Sequence, residues 1–151
     1  MPAAWRIVRQ QHAKAAFSGD GASRFGGRWN SRGVAVVYAS STQSLAALET
    51  LVHLNPATRF RYKAFTITFD ESLVETMPLN RLPRDWKTQP VPRSTQRLGD
   101  AWVRAARSPI LRVPSVLVPG ESNLVLNPNH PDFSRVIIGK PVNFVFDPRL
   151  L

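Results

Sequence analysis

Apolar and polar positions along the chain sort into short segments of two periods. Trp5-Arg6-Ile7-Val8 alternates and predicts a short strand. Val34-Ala35-Val36-Val37-Tyr38 is a continuous, largely β-branched run and predicts a buried strand. Residues 61–69 alternate again, with Tyr62, Ala64 and Thr66 on one side and Phe65, Ile67 and Phe69 on the other. Shorter pieces at 73–77, 110–114, 115–119, 123–126, 136–138 and 142–146 predict further strands, the pair at 110–119 being broken by proline. Helical spacing is confined to two stretches. Residues 43–54 follow the cap-forming Ser40-Ser41-Thr42 and place Leu45, Leu48, Leu51 and Val52 on an apolar stripe, which Glu49 borders. Asn55-Pro56 supplies the stop. Residues 94–106 read as a helix with Ser94 as N-cap and Leu98, Trp102 and Ala105 towards the core.

The stretches between are polar. Residues 17–32 are rich in Gly, Ser, Arg and Asn and predict a loop, and residues 78–93 predict a proline-rich, exposed connection. Residues 127–132 predict a turn. Many strands, few helices and no βαβ rhythm indicate an α+β fold, and 151 residues suit a single domain spanning 1–151.

Composition changes this picture in two respects. The absence of cysteine removes disulfide scaffolds, cysteine nucleophiles and thiolate zinc sites. With no apolar run of membrane-spanning length and no signal-like N-terminus, the expectation is a soluble protein of the cytoplasm. The excess of 20 Lys+Arg over 10 Asp+Glu gives a net charge of +10, which favours anionic partners. The cations are spread along the whole chain with no basic run, so a nucleic-acid-binding tail is not indicated, although a basic nucleic-acid-binding module remains an alternative role.

Candidate chemistry concentrates near the N-terminal third. In Gly26-Gly27-Arg28-Trp29-Asn30 the Arg28 guanidinium offers a planar fork for a diphosphate or carboxylate, and the glycines admit backbone N–H groups to the same anion. Tyr38 ends an apolar run, where its ring serves either the core or a ligand. Glu49, beside leucines, is either a helix-edge glutamate or a carboxylate kept for a developing cation, a sugar hydroxyl or a proton. Ser115 has no neighbouring histidine to activate it and suits hydrogen bonding better than attack. His12, His53 and His130 lack metal-ligand spacing, and there is no P-loop or GxGxxG, so no metal is expected.

In order and spacing, Gly27-Arg28-Trp29-Asn30, Tyr38-Ala39-Ser40, Ala47-Leu48-Glu49, Val113-Pro114-Ser115 and the segment from Asn123 to Phe133 together resemble the RES domain family, named for its Arg, Glu and Ser. The resemblance covers nearly the whole chain; Leu124 departs from it, standing where many members carry an aromatic. It implies an ADP-ribosyltransferase-like fold of mixed and antiparallel sheets around an NAD-binding cleft. It also implies a bacterial toxin paired with an Xre-like helix-turn-helix antitoxin, with nucleic acid engaged only through that antitoxin. NAD+ would be the substrate, consumed by hydrolysis, phosphorolysis or transfer of ADP-ribose to protein, with no separate cofactor. Carried over by position, Arg28 would bind the NAD+ phosphates or ribose and take part in catalysis, Tyr38 would line the nicotinamide pocket and Glu49 would be the catalytic carboxylate. Ser115, or the nearby Ser122, would hydrogen-bond the ligand, and Asn123 would help shape the pocket.

Overall fold

The computed structural model describes residues 1–54 and 60–150. Eight strands form one sheet: β1 (Ala3–Arg9), β2 (Val37–Ser40), β3 (Tyr62–Thr68), β4 (Val74–Thr76), β5 (Ile110–Pro114), β6 (Ser122–Leu126), β7 (Ile137–Ile138) and β8 (Val142–Phe144). Their order is β4-β5-β6-β2-β1-β3-β7, and β8 pairs with β3 beside β7. All pairings are antiparallel except β4 with β5, which gives a mixed sheet. Three helices accompany it: α1 (Asp20–Phe25), α2 (Gln43–Leu51) and α3 (Arg93–Ala105). This is the α+β architecture that the strand-rich pattern predicts.

Register decides what shares a face. Trp5 pairs with Ser40, Ser40 with Asn123 and Asn123 with Val113, so these four form a row across one face of the sheet. Tyr38, Val125 and Leu111 form the next row on that face. Helix α2 covers the β1 end, packing Ala46, Ala47 and Leu51 on Ile7 and Ala64. Helix α3 covers the β5 end, packing Trp102 and Leu98 on Leu111, Val113 and Val125. The opposite face carries Ala4, Val37, Ala39, Ile67, Leu124 and Leu126 beneath Phe17 and Phe133. Burial on both faces explains why the Val36-Val37 and Leu124-Val125-Leu126 stretches read as continuous apolar runs rather than alternations.

The seam between β1 and β2 is thin. A single register pair joins them, against seven between β1 and β3 and four between β2 and β6. Past that pair the Tyr38 carbonyl accepts instead from Arg6 Nη1 at 2.8 Å, while Arg6 Nε donates to the Ala16 carbonyl at 2.8 Å. Burial without a carboxylate partner pulls the Arg6 pKa down to about 10.

Several elements differ from the sequence reading. On α2 the buried residues are Leu45 and Ala46, whereas Leu48 and Val52 are 42% and 56% exposed. The helix therefore meets the sheet on its small-residue side, where Ala46 and Ala47 permit close approach. It ends at Leu51, and the Asn55-Pro56 stop lies outside the described residues. Residues 17–32 contain α1 as well as loop. The N-cap of α3 is Pro92, and the Ser94 hydroxyl donates to the Asp85 carboxylate at 2.5 Å. Ala105 is exposed. Residues 115–119 form a turn rather than a strand, because the Ser115 hydroxyl accepts from the Leu117 and Val118 N–H groups at 3.1 Å each. His130, read as part of a simple turn, ties that turn to the end of α3: its Nε2 meets the Ala106 carbonyl at 2.8 Å while Nδ1 accepts from Asp132 N–H.

Candidate active site

The loop 26–30 owes its shape to buried polar contacts. Asn30 is fully buried, and its Nδ2 donates to the carbonyls of Ala22 at 2.8 Å and Val34 at 3.0 Å. Its Oδ1 accepts from the Tyr38 hydroxyl at 2.6 Å, and the same hydroxyl accepts from Trp29 N–H at 3.0 Å. A Cβ on Gly27 would stand 2.7 Å from the Tyr38 oxygen and 2.9 Å from Asn30 Oδ1, so only glycine lets the loop lie against this pair. Helix α3 grips the loop from the other side: Asp100 accepts from Ser31 N–H at 2.9 Å and from its hydroxyl at 2.5 Å, and Gln96 donates to the Gly27 carbonyl at 3.1 Å.

Tyr38 therefore spends its hydroxyl on the loop, and burial pushes its phenol well above the ordinary range. What it can still offer a ligand is ring surface. Removing the hydroxyl strands the buried Asn30 Oδ1 and the Trp29 N–H, so Tyr38→Phe is expected to lower unfolding free energy in urea by about 1–3 kcal/mol. A loss under about 0.5 kcal/mol would show that the loop is held by other means.

Arg28 leaves this loop half-buried. Its Nη1 donates to the carbonyls of Trp86 at 2.7 Å and Thr88 at 3.0 Å, in the connection before α3. Loss of hydration pulls its pKa below the ordinary value, and the Glu49 carboxylate and Tyr38 act in the opposite sense. Tyr38 and Glu49 are thus each in electrostatic reach of Arg28. Glu49, third from the end of α2 and partly buried, accepts from Asn123 Nδ2 at 2.8 Å. Asn123 in turn accepts from the Ser40 hydroxyl at 2.9 Å.

The serines stand apart. Ser115 lies at the end of β5, buried, with both acceptor positions of its hydroxyl taken by backbone N–H groups. No hydrogen bond joins it to Arg28, Tyr38, Glu49 or Asn123 among the described residues. Ser122 pairs with Pro114, and alternation along β6 turns it to the face opposite Asn123. Two open depressions lie elsewhere, of about 410 Å³ beside Val34, Val103 and His130 and about 350 Å³ beside Met77, Arg112 and Glu121. Neither includes Arg28, Tyr38 or Glu49.

Sequence reasoning missed three residues that build the site from behind, Asp100, Gln96 and Gly99, and read Ser40 only as a helix cap and part of the Tyr38-Ala39-Ser40 piece, whereas Thr42 caps α2. Asp100 carried no local signal, since a position two residues from both Leu98 and Trp102 falls off their stripe on α3 and is buried by the loop's Ser31 instead.

The RES domain model matches residues 3–147 of the chain. The chain belongs to the RES domain family. It is 39% identical to Toxin Res of Yersinia enterocolitica over 148 residues, covering 97% of each chain. It is 40% identical to a Prs ADP-ribosylating toxin of Sphingobium over 153 residues, covering 97% of this chain and 95% of that one. Among solved structures it is similar to a chain in the M. tuberculosis MbcT–MbcA toxin–antitoxin complex, with a TM-score of 0.75 over 95% of this chain and 84% of that one. At 20% identity that likeness speaks to the fold, and it bears out the α+β architecture.

Proposed function

We propose that this protein is the toxin of a toxin–antitoxin pair and consumes NAD+ by cleaving the nicotinamide–ribose bond. The observation that carries the reading is the Glu49 carboxylate held by Asn123 at 2.8 Å, within electrostatic reach of the Arg28 guanidinium. Departure of nicotinamide takes the C–N bonding pair with it, so the leaving group is neutral and positive charge builds on the ribose. A fixed carboxylate beside that ring stabilises the transition state more than the ground state. Arg28, with Nη1 already engaged, has Nε and Nη2 to offer the diphosphate. Water or inorganic phosphate then adds to the anomeric carbon, and the proton that water loses passes to solvent. Tyr38 contributes a ring wall, and Ser115 holds the turn after β5 through its two backbone contacts.

Transfer of ADP-ribose to a protein is the second reading, favoured by the 40% identity to a relative named for ADP-ribosylation. The partner in either case would be an Xre-like antitoxin, and the net charge of +10 suits both an acidic partner surface and the anionic dinucleotide. Incubation with NAD+, in buffers with and without phosphate, separates the readings by free nicotinamide, ADP-ribose, its phosphorylated form and labelled protein. Free ADP-ribose or its phosphate is the expected product. Labelled protein as the main product would favour transfer, and intact NAD+ would overturn both.

A further inference from the structure

We infer that Ser40 is a positioning residue for the Glu49 carboxylate, acting through the amide of Asn123; the inference rests on the proposed role of Glu49. Three elements meet in this chain of contacts. Ser40 ends β2, Asn123 lies on the neighbouring β6 and pairs with Ser40 in register, and Glu49 reaches down from α2. The Ser40 hydroxyl donates to Asn123 Oδ1 at 2.9 Å, and Asn123 Nδ2 donates to Glu49 Oε1 at 2.8 Å.

The polarity of the chain is forced. An ionised carboxylate only accepts, so Asn123 must present nitrogen to Glu49. Its oxygen then faces Ser40, where only a donor is tolerated, and the hydroxyl supplies one. A flipped amide would set oxygen against the carboxylate, and that repulsion excludes it; the hydroxyl, able to donate or accept, then takes the donor role. Ser40 is buried, 3% exposed, so no bulk water replaces its proton. Glu49 thus selects the amide orientation, and the Ser40 hydroxyl, donating to the oxygen end, pins the amide in it. It touches neither the carboxylate nor, by its burial, a ligand.

This arrangement also assigns Asn123 a narrower task than shaping the pocket. Its oxygen and one of its two N–H donors are committed, which leaves a single N–H for any substrate contact.

The test uses the full chain and NAD+. Ser40→Ala removes two atoms' worth of contact without adding bulk, and is expected to lower kcat for nicotinamide release about tenfold with KM within about twofold, since a misplaced catalytic group loses rate rather than binding. In an Asn123→Ala background the same substitution is expected to change kcat less than about twofold, because the relay is already cut. An equal loss in both backgrounds, or wild-type kcat for Ser40→Ala, overturns the inference. An activity-independent readout comes from the Asn123 side-chain amide signals in ¹⁵N-labelled protein, which are expected to shift in Ser40→Ala. Unmoved signals overturn the relay even if NAD+ is consumed. Shifted signals with no NAD+ loss by the wild type would uphold the relay and sink the NAD+ reading instead.

Discussion

Glu49→Gln is expected to reduce nicotinamide release from NAD+ by about 10³-fold in kcat/KM, equivalent to about 4 kcal/mol of transition-state stabilisation. Glutamine keeps the size of the side chain and can still accept from Asn123 through its amide oxygen, so the contact at 2.8 Å has a counterpart in the variant. Only the negative charge is lost. Glu49 sits on a helix anchored independently at its start, where the Thr42 hydroxyl accepts from Leu45 N–H at 3.1 Å and donates to Glu121 at 3.2 Å. Thermal unfolding should therefore move by no more than a few degrees. Initial rates of nicotinamide release by the purified variant decide the matter. Retention of more than about a tenth of the wild-type rate would place the essential negative charge elsewhere.

The second large effect concerns stability. Gly99→Ala is expected to destabilise the protein by about 3 kcal/mol or more, lowering Tm by roughly 6–12 °C in a thermal melt. A methyl carbon at this position would lie 1.6 Å from the Trp29 carbonyl oxygen and 2.6 Å from its carbon. Both are backbone atoms, so no side-chain rotation relieves the clash. Helix α3 must withdraw, and with it go the Asp100 contacts to Ser31 and the Gln96 contact to Gly27. The damage reaches the loop that carries Arg28. Gly21→Ala is the matched control, because a methyl there meets nothing within 4 Å and lies in a helix. If the two variants melt alike, the close approach of α3 to the loop is not what holds this region together.

How much of this was legible beforehand depends on which physical signal each element carries. The β3 strand was readable to within a residue at each end, since alternation over 61–69 is a local property of the chain. The inward side of α2 was readable only in part. Periodicity put four apolar residues against the sheet, and Leu45 and Leu51 do pack inward, yet Leu48 and Val52 face solvent and Ala46 takes the contact, because a helix lying close over β1 needs small residues there. Residues 115–119 looked like a strand for their Val-Leu-Val content, and a single serine hydroxyl capping two backbone N–H groups turned them instead. At the site, Arg28, Tyr38 and Glu49 stood out because each is a costly residue in an apolar or glycine-rich setting. Their supports, Asp100, Gly99 and Ser40, are spread over 60 residues of sequence and become partners only when β2, β6 and α3 are laid side by side. Pairwise tertiary contacts of that kind leave little trace in local pattern.

The thin seam between β1 and β2 gives the molecule a division of labour. Glu49 rides with α2 on the β1–β3 side, while Arg28 and Tyr38 belong to the side built from β2, β6, β5 and α3. The polar contacts across that line include one ladder pair, the Arg6 contact to Tyr38, the Asn123 contact to Glu49 and the Thr42 contact to Glu121, and beneath them Ala4 and Ile67 share an apolar core with Val37 and Leu124. A dinucleotide gripped by Arg28 at one end and faced by Glu49 at the other would span the line from above, acting as a cross-brace where the sheet's own stitching is sparsest.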